Sequence, residues 1–360
     1  MHLPKQSIRL QSLDVFRGIT ISLMLFVNAM SLSPSIHPWL AHSHWNGCTL
    51  ADWVFPFFLW ITGVSLSFSL SKYSQDHQPT RALYWRLLRR GMILFALGVL
   101  VSNVGSDGWG AIQMTGVLQR ISLAYLATAL IVLKLPKKAQ WIVTGLLLLG
   151  YWAAYVTFPV PEPTDVKGAT HQIGTFGIMS AFGMMTTIAI VLMGYFTGTW
   201  LRAESGIKKF HNSSQSMTLV LWGIGSIALG KLWSLSLPIN KKLWTSSYAL
   251  FTVGLALLFL AICYELIEVR GNRRWSYPAQ ILGLNSIFVF ATSELAIKLL
   301  ENTRIGNTIN SPSSYVWLSQ HLFGKSIGAA TAGFLLALGM LLIWWFIAYC
   351  FYQRRWKITL

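Results

Sequence analysis

The sequence predicts an all-α fold, a polytopic membrane helix bundle of about ten transmembrane helices with both termini in the cytoplasm. Of the 360 residues, 54% are hydrophobic and only 11% are charged, and the mean hydropathy is +0.53. Soluble domains carry about 25% charged residues, so this composition indicates an integral membrane protein. Apolar segments of the length that crosses a bilayer core recur along the whole chain.

Ten segments satisfy that requirement of length and hydropathy. They lie at residues 12–33, 51–71, 87–104, 112–133, 140–158, 182–201, 217–237, 244–265, 277–299 and 328–352. No internal repeat divides them, and we expect a single domain over residues 1–360. Three longer connections, at 34–50, 159–181 and 300–327, are expected on the outer face.

The distribution of Lys and Arg predicts the orientation. The two termini and the loops on their side carry 19 of these residues, whereas the alternate loops carry five. Basic loops stay in the cytoplasm, so both termini are expected on the cytoplasmic side of the membrane and the loop 34–50 on the outer side. The formal net charge of +17 comes largely from these cytoplasmic Lys and Arg residues. It is therefore explained by membrane topology, and we predict no nucleic-acid partner.

The stretch 41–65 joins a polar, histidine-bearing loop directly to a membrane segment. His42 and Asp52 stand at the mouth of this hydrophobic segment. Ionisable groups are costly there, so they are candidates for a functional site. The alternative is a plain helix start, with Trp45 as an interfacial anchor, Asn46 in a turn and Asp52 on the helix dipole.

Charged residues also lie inside the predicted spans. Asp14 and Arg17 are three residues apart on the first helix, a spacing that lets them pair on one face, in one interpretation as a snorkelling structural pair. Arg120 lies about a third of the way into the fourth span. A buried arginine needs an anionic partner, which is either a carboxylate of the bundle or a bound phosphate.

Amides and a carboxylate complete the set of intramembrane polar residues. Asn28 lies near the outer end of the first span, and Asn285 and Glu294 lie in the ninth. Buried amides in membrane helices either line a site or hold helices together. The three cysteines lack metal-ligand spacing, and we predict no metal. The absence of P-loop, H-E-x-x-H and G-x-S-x-G motifs argues against an NTPase, a zincin and an α/β-hydrolase.

Five blocks of the sequence resemble successive signature blocks of one membrane-protein family. They are RLQSLDVFRGITISLMLFVNAM, HSHWNGCTLADWVFPFFLWITGVSLSFSL, GVLQRISLAYL, PINKKLWTSSYALFTVGLAL and PAQILGLNSIFVFATSEL. In this order they resemble the heparan-α-glucosaminide N-acetyltransferase-like proteins, including the bacterial NagX-type proteins. The resemblance implies a transmembrane acetyltransferase that passes an acetyl group from cytoplasmic acetyl-CoA to the amine of a glucosamine-type sugar on the periplasmic side.

The resemblance also assigns residues and partners. The essential histidine of the family stands in an H-x-x-W-N-G motif, which matches residues 42–47 and gives the catalytic role to His42. The family's asparagine in a V-N pair matches Asn28. The implied partners are acetyl-CoA as co-substrate, an amino sugar as acceptor, membrane lipid and a second copy of the chain in a homodimer.

The chemistry of acyl transfer to an amine is consistent with these residues. Histidine suits the role of base, and it can also be acylated as a nucleophile; the sequence leaves both open. We expect Asn28 to donate to the oxyanion or orient the substrate, and Asp52 to orient His42 or attract the cationic sugar. The other expected site residues are Arg120, Arg17, Asp14, Arg89 and Arg90 for acetyl-CoA, and Trp45, Asn46, Asn285 and Glu294 for the acceptor.

Two other functions remain open at this point. A transporter of N-acetylglucosamine or a related amino sugar would also have polar residues within its spans, although neither an inverted repeat nor matching broken helices are visible. A scaffold that has lost activity is the third, because residues 178–183 replace a D-P-E-G-L block that bacterial relatives often carry. Arg89 and Arg90 are alternatively ordinary cytoplasmic loop residues.

Overall fold

The computed structural model confirms the all-α fold. It describes residues 10–33, 36–71, 73, 78–104, 116–158, 169–207, 213–306, 312–323 and 328–356, with 169–178, 180 and 204–207 described by their backbone only. These residues form twelve α-helices and no β-strand. The helices are α1 Gln11–Met30, α2 Leu50–Ser69, α3 Arg81–Asn103, α4 Val117–Lys134, α5 Lys137–Thr157, α6 Ala169–Ile207, α7 Ser213–Trp233, α8 Ser246–Tyr264, α9 Tyr277–Leu284, α10 Ser286–Asn302, α11 Ser314–Phe323 and α12 Ala329–Gln353.

Most of the predicted spans coincide with long apolar helices. Within the described ranges, eight helices are long and apolar enough to cross a membrane, and α9 with α10 makes a ninth if this bent pair is one span. α3 occupies the place of the predicted third span, but its four arginines exclude it from this set by composition. The predicted ninth span is broken at Asn285, where the axis turns by 81°.

Two predicted outer loops are partly helical. α6 begins at Ala169 rather than near residue 182, because no proline interrupts the chain between Pro163 and the membrane segment. α11 lies within the predicted loop 300–327. The parts of these loops at 159–168, 307–311 and 324–327 lie outside the described residues, as does 34–35 of the first outer loop.

The buried centre of the bundle consists of α1, α2, α6 and α8. Of the most apolar part of α2, 72% is buried, compared with 17% for α12, so α2 is a core helix and α12 a peripheral one. Phe16 on α1, Phe57 and Trp60 on α2 and Phe259 on α8 pack with ring centroids 5.4–6.3 Å apart. These aromatic contacts connect three of the four central helices.

Glycine allows α2 and α6 to pack backbone against backbone. A Cβ atom on Gly63 would lie 2.0 Å from the carbonyl oxygen of Val191, and one on Gly194 would lie 2.1 Å from that of Trp60. Small residues at helix interfaces are the usual means of close packing in membranes. The contact fixes α2 in the bundle, and with it the polar first turn of that helix.

Candidate active site

The first turn of α2 holds a fully buried carboxylate, Asp52. Its Oδ2 accepts hydrogen bonds from the backbone nitrogen and from Oγ1 of Thr49, both at 3.0 Å, and so caps the helix. The backbone nitrogen of Ser43 donates to the same oxygen at 3.2 Å. Asp52 thus lies at the start of the helix, as one interpretation of the sequence expected, but only one of its two oxygens takes part in the helix cap.

The other oxygen of Asp52 faces His42. His42 Nδ1 lies 2.8 Å from Asp52 Oδ1. The histidine side chain is 47% exposed and the carboxylate is 0% exposed, so the pair joins the protein interior to an open surface. An ionised carboxylate only accepts hydrogen bonds, so Nδ1 carries a proton in this pair and Nε2 is the free ring nitrogen.

The histidine loop, which is the part of the loop 34–50 that carries His42, is held by a second loop, residues 237–245, which joins α7 to α8. Gly47 N donates to the carbonyl oxygen of Ile239 at 2.8 Å, and Asn240 Nδ2 donates to Asn46 Oδ1 at 3.3 Å. Gly47 has φ +109°, a conformation that favours glycine, so this contact depends on the Asn-Gly turn. The two loops together bring Lys241 to the histidine.

Lys241 completes a three-membered polar cluster. Its Nζ lies 3.2 Å from Asp52 Oδ1 and 3.1 Å from His42 Nδ1. Burial lowers the pKa of Lys241, and the Asp52 carboxylate opposes that shift. Burial and the Asp52 charge raise the pKa of the neighbouring Cys48 to about 12, so this cysteine is a neutral thiol at physiological pH.

A cavity of about 370 Å³ opens beside His42. Its walls come from α1, α2, α4, α10 and the loop 237–245. The volume lies within the range of small-molecule sites. The polar side chains that line it are His42, Lys241, Asn28, Ser31, Glu294, Lys298 and Glu301.

One face of α10 supplies the acidic wall of this cavity. Glu294, Lys298 and Glu301 follow one another at intervals of four and three residues and therefore share a helix face. Asn28 Nδ2 donates a hydrogen bond to Glu294 Oε1. Lys298 Nζ donates to the carbonyl oxygen of Ser102 at 2.8 Å. Two carboxylates and an amide thus face the same space as His42.

The Asp14 and Arg17 pair lies at the opposite end of α1. Arg17 contacts Asp14 at 3.1 Å and donates to Ser65 Oγ at 2.7 Å. A larger groove of about 1020 Å³ also lies toward that end, between α4, α5, α6 and α7, and Lys137 and Arg202 are its cations. Neither Asp14 nor Arg17 lines the groove or the His42 cavity.

The other arginines expected to bind acetyl-CoA lie in separate surroundings. Arg89 is exposed. The Arg90 guanidinium lies 5.2 Å from the ring centroid of Tyr125, and that of Arg120 lies 4.6 Å from the ring of Trp244. In the described part of the chain, none of these arginines lines the His42 cavity. The structure does not bring the five predicted donor-site residues together.

The residues expected to bind the acceptor separate into two places. Trp45 is buried beside Lys242, whose Nζ lies 5.8 Å from its ring, and Asn46 belongs to the loop contact. Asn285 lies at the bend between α9 and α10 and donates to the carbonyl oxygen of Trp356 at 3.2 Å. It does not line the cavity that Glu294 lines, since it lies at the start of α10 and Glu294 is nine residues further along that helix. The helix-linking interpretation of Asn285 agrees with this position.

Sequence reasoning left Lys241 open between the acceptor side and a structural role, and it did not consider Glu301. Lys241 lies in the PINKKLW block, and a resemblance over that block was a usable signal. The spacing Glu294, Lys298, Glu301 was a second signal, because it marks one face of a helix. In the part of the chain that the structure describes, no group of three or more His, Cys, Asp or Glu side chains could hold a metal ion.

Together the fold and this site define an integral membrane protein with a histidine–carboxylate centre at one end of its helix bundle. The family model described as "Heparan-alpha-glucosaminide N-acetyltransferase, catalytic" matches residues 9–233, more than half of the chain. The chain belongs to this family.

Two curated relatives agree with the family match. The chain is 25% identical to "Heparan-alpha-glucosaminide N-acetyltransferase" of Homo sapiens over 80% of its own length, and 25% identical to the Mus musculus protein of the same name over 97%. It spans 53% and 60%, respectively, of the lengths of these relatives.

Proposed function

We propose that this protein is a transmembrane acetyltransferase that moves an acetyl group from acetyl-CoA to the amine of a glucosamine-type sugar. The observation that carries the proposal is the 2.8 Å contact of His42 Nδ1 with the buried Asp52, which leaves Nε2 free beside an open cavity. The names of the relatives, which state N-acetyl transfer to a glucosaminide, support the reaction class.

The lining of the cavity supports an amino sugar as the acceptor. Glu294 and Glu301 provide carboxylates that suit an ammonium group, and the cavity of about 370 Å³ suits a small polar ligand. Asn28 bonds to Glu294 and lines the same space. Its amide is available to a substrate hydroxyl or to an oxyanion.

His42 can act by either of two routes. In the direct route, Nε2 takes a proton from the sugar ammonium, and the amine attacks the thioester carbonyl carbon. The C–N bond forms, the C–S bond breaks, one proton ends on the CoA thiol and one is released. In the covalent route, Nε2 attacks the carbonyl first, the C–S bond breaks and CoA leaves as the thiolate. The deprotonated amine then takes the acetyl group, the bond from Nε2 to the acetyl carbon breaks, and of the two protons lost by the sugar ammonium one ends on the CoA thiol and one is released. Asp52 holds the ring in both routes.

We also propose the sidedness of the reaction. Acetyl-CoA binds from the cytoplasm and the sugar binds on the periplasmic face of a bacterial inner membrane, in a homodimer. The unequal distribution of Lys and Arg, 19 against five, supports this orientation. Arg89 and Arg90 are the candidate ligands for the CoA phosphates on the cytoplasmic side, because Arg17 is paired with Asp14 and Arg120 lies against Trp244 in the loop 237–245.

The test uses purified protein in lipid nanodiscs with radiolabelled acetyl-CoA, with and without glucosamine. We expect the wild type to label glucosamine and His42→Ala to reduce this labelling to background. His44→Ala is the matched control, because His44 is exposed in the same loop and does not line the cavity. Label retained on the wild-type protein without acceptor would identify the covalent route.

Two results would reject the proposal. One is near wild-type turnover by a monodisperse His42→Ala protein. The other is no transfer to any amino sugar combined with uptake of labelled sugar into liposomes that lack CoA, which would establish a transporter instead.

A further inference from the structure

The contacts of Asp52 define which groups in the cluster carry protons. Oδ1 faces His42 Nδ1 and Lys241 Nζ, and Oδ2 faces two donors of Thr49 and the backbone nitrogen of Ser43. Every one of these neighbours can donate a hydrogen bond. A protonated carboxyl would need an acceptor, so this environment holds Asp52 in its charged form.

Lys241 and His42 therefore compete for one carboxylate oxygen. The two nitrogens are 3.1 Å apart, and with Nδ1 protonated toward Asp52 neither can accept from the other. The ammonium neutralises the carboxylate that would otherwise favour the imidazolium form of the ring. It also adds a positive charge in contact with the ring, which disfavours a second proton.

We propose that Lys241 is a positioning residue that keeps His42 neutral, with an unprotonated Nε2, by sharing the Asp52 carboxylate with it. The role in acetyl transfer rests on the proposed function, but the effect on the ring does not. A histidine paired with a carboxylate alone is poised to take a proton, whereas here the charge of the carboxylate is already balanced.

The other titratable groups around His42 do not neutralise the charge of the Asp52 carboxylate. Glu294, Lys298 and Glu301 face it across the cavity from α10, and Asn28 binds one of these carboxylates. Cys48 is a neutral thiol. Lys241 is the cation in direct contact with the ring among the described residues.

The first experiment measures the ionisation of His42 without acetyl-CoA or sugar. Diethyl pyrocarbonate modifies neutral imidazole, and peptide mass spectrometry reports its pH dependence separately for His42 and for the exposed His44. In Lys241→Met, we expect the pH midpoint at His42 to rise by about one unit or more, because a contacting cation has been lost. The midpoint at His44 should not move.

Three further variants control this result. Lys241→Gln removes the charge but can still donate a hydrogen bond to Asp52. It should raise the His42 midpoint as Lys241→Met does, and it replaces Lys241→Met if that variant does not fold. Lys241→Arg should retain the wild-type midpoint. Lys242→Met is the matched control, because Lys242 lies over the Trp45 ring and not in the cluster. Coincident His42 midpoints in wild type and the neutral variants, or an equal rise in Lys242→Met, would overturn the inference.

The second experiment separates this inference from the proposed function. If the protein transfers acetyl groups, the acidic limb of its kcat/KM profile should move to higher pH in Lys241→Met, and Lys241→Arg should reverse the change. An inactive wild type that still shows the midpoint shift would reject the proposed function and retain the inference. If the wild type is active but Lys241→Met moves neither the acidic limb of the kcat/KM profile nor the His42 midpoint, the proposed function stands and the inference is rejected.

Discussion

Two carboxylate–cation pairs, near opposite ends of the central helices, have similar composition and different surroundings. Asp14 pairs with Arg17 of the same helix at 3.1 Å, and Arg17 also bonds to Ser65 of α2. Asp52 pairs with Lys241 from a distant loop at 3.2 Å, and His42 shares the same oxygen. One pair connects two helices, and the other connects the first turn of α2 to the loop 237–245 beside a cavity.

The difference is in the third partner. A serine hydroxyl neither gains nor loses charge near neutral pH, and arginine stays protonated, so the Asp14 pair has a fixed charge. Histidine changes its charge near neutral pH, and here its second nitrogen is free. A buried ion pair thus becomes a candidate reactive centre when a titratable side chain in contact with it also lines an open cavity.

The largest effect is expected from Asp52→Asn. The amide brings an NH₂ group among neighbours that are all donors, so it cannot satisfy both His42 and the Thr49 cap. We expect turnover to fall by roughly 10⁴-fold, the size seen when a histidine-orienting aspartate is replaced by asparagine in a hydrolytic triad. The nanodisc transfer assay measures this loss.

Thr49→Ala is the control for that change. It removes one donor to Asp52 and part of the helix cap, so it should cost about 1 kcal/mol of stability and change turnover only a few-fold. If Asp52→Asn and Thr49→Ala behave alike, Asp52 acts only through the helix start, and the contrast with Asp14 disappears.

A smaller loss is expected from Asn28→Ala. If the amide stabilises the oxyanion, kcat should fall by roughly 10²-fold with little change in KM for the sugar. Ser31→Ala, which changes another polar side chain of the same cavity, is the comparison. A rise in KM alone would assign Asn28 to acceptor binding, and wild-type kinetics would remove it from the site.

The smallest effect on turnover is expected from Arg17→Met. The variant loses the 3.1 Å contact with Asp14 and the bond to Ser65, so we expect a loss of about 1–3 kcal/mol in stability and a lower Tm. Activity should stay within a few-fold of wild type. A selective rise in KM for acetyl-CoA would instead support Arg17 as a ligand of the donor and weaken the distinction between the two pairs.

Much of the helical architecture is predictable because long apolar segments have few alternatives in a membrane. The eight qualifying helices occupy predicted positions. The bend at Asn285 was not predictable from hydropathy, since the flanking residues remain apolar and no proline marks the break. α3 is the predicted span with the most mixed composition, because its apolar second half follows a first half that carries four arginines.

The site was predictable only where local sequence carried the signal. Asn28 and Asp52 lie near helix ends, His42 lies in the loop before α2 and Glu294 lies in the middle of α10, and the structure brings them to one corner of the bundle. Lys241 reaches them through loop contacts that no periodicity encodes, such as the bond from Gly47 to Ile239. The residues expected to bind acetyl-CoA lie in separate surroundings, because charge alone does not specify which basic groups converge.

The docking of the histidine loop on residues 237–245 also determines when the centre can form during synthesis. A nascent chain that ends at the last residue of α7 already contains His42 and Asp52, but it lacks Lys241, which follows α7 in the sequence. Until the ribosome passes that point, Gly47 has no Ile239 to bind and the carboxylate has no ammonium beside it. The histidine therefore enters the membrane before the group that we expect to control its charge.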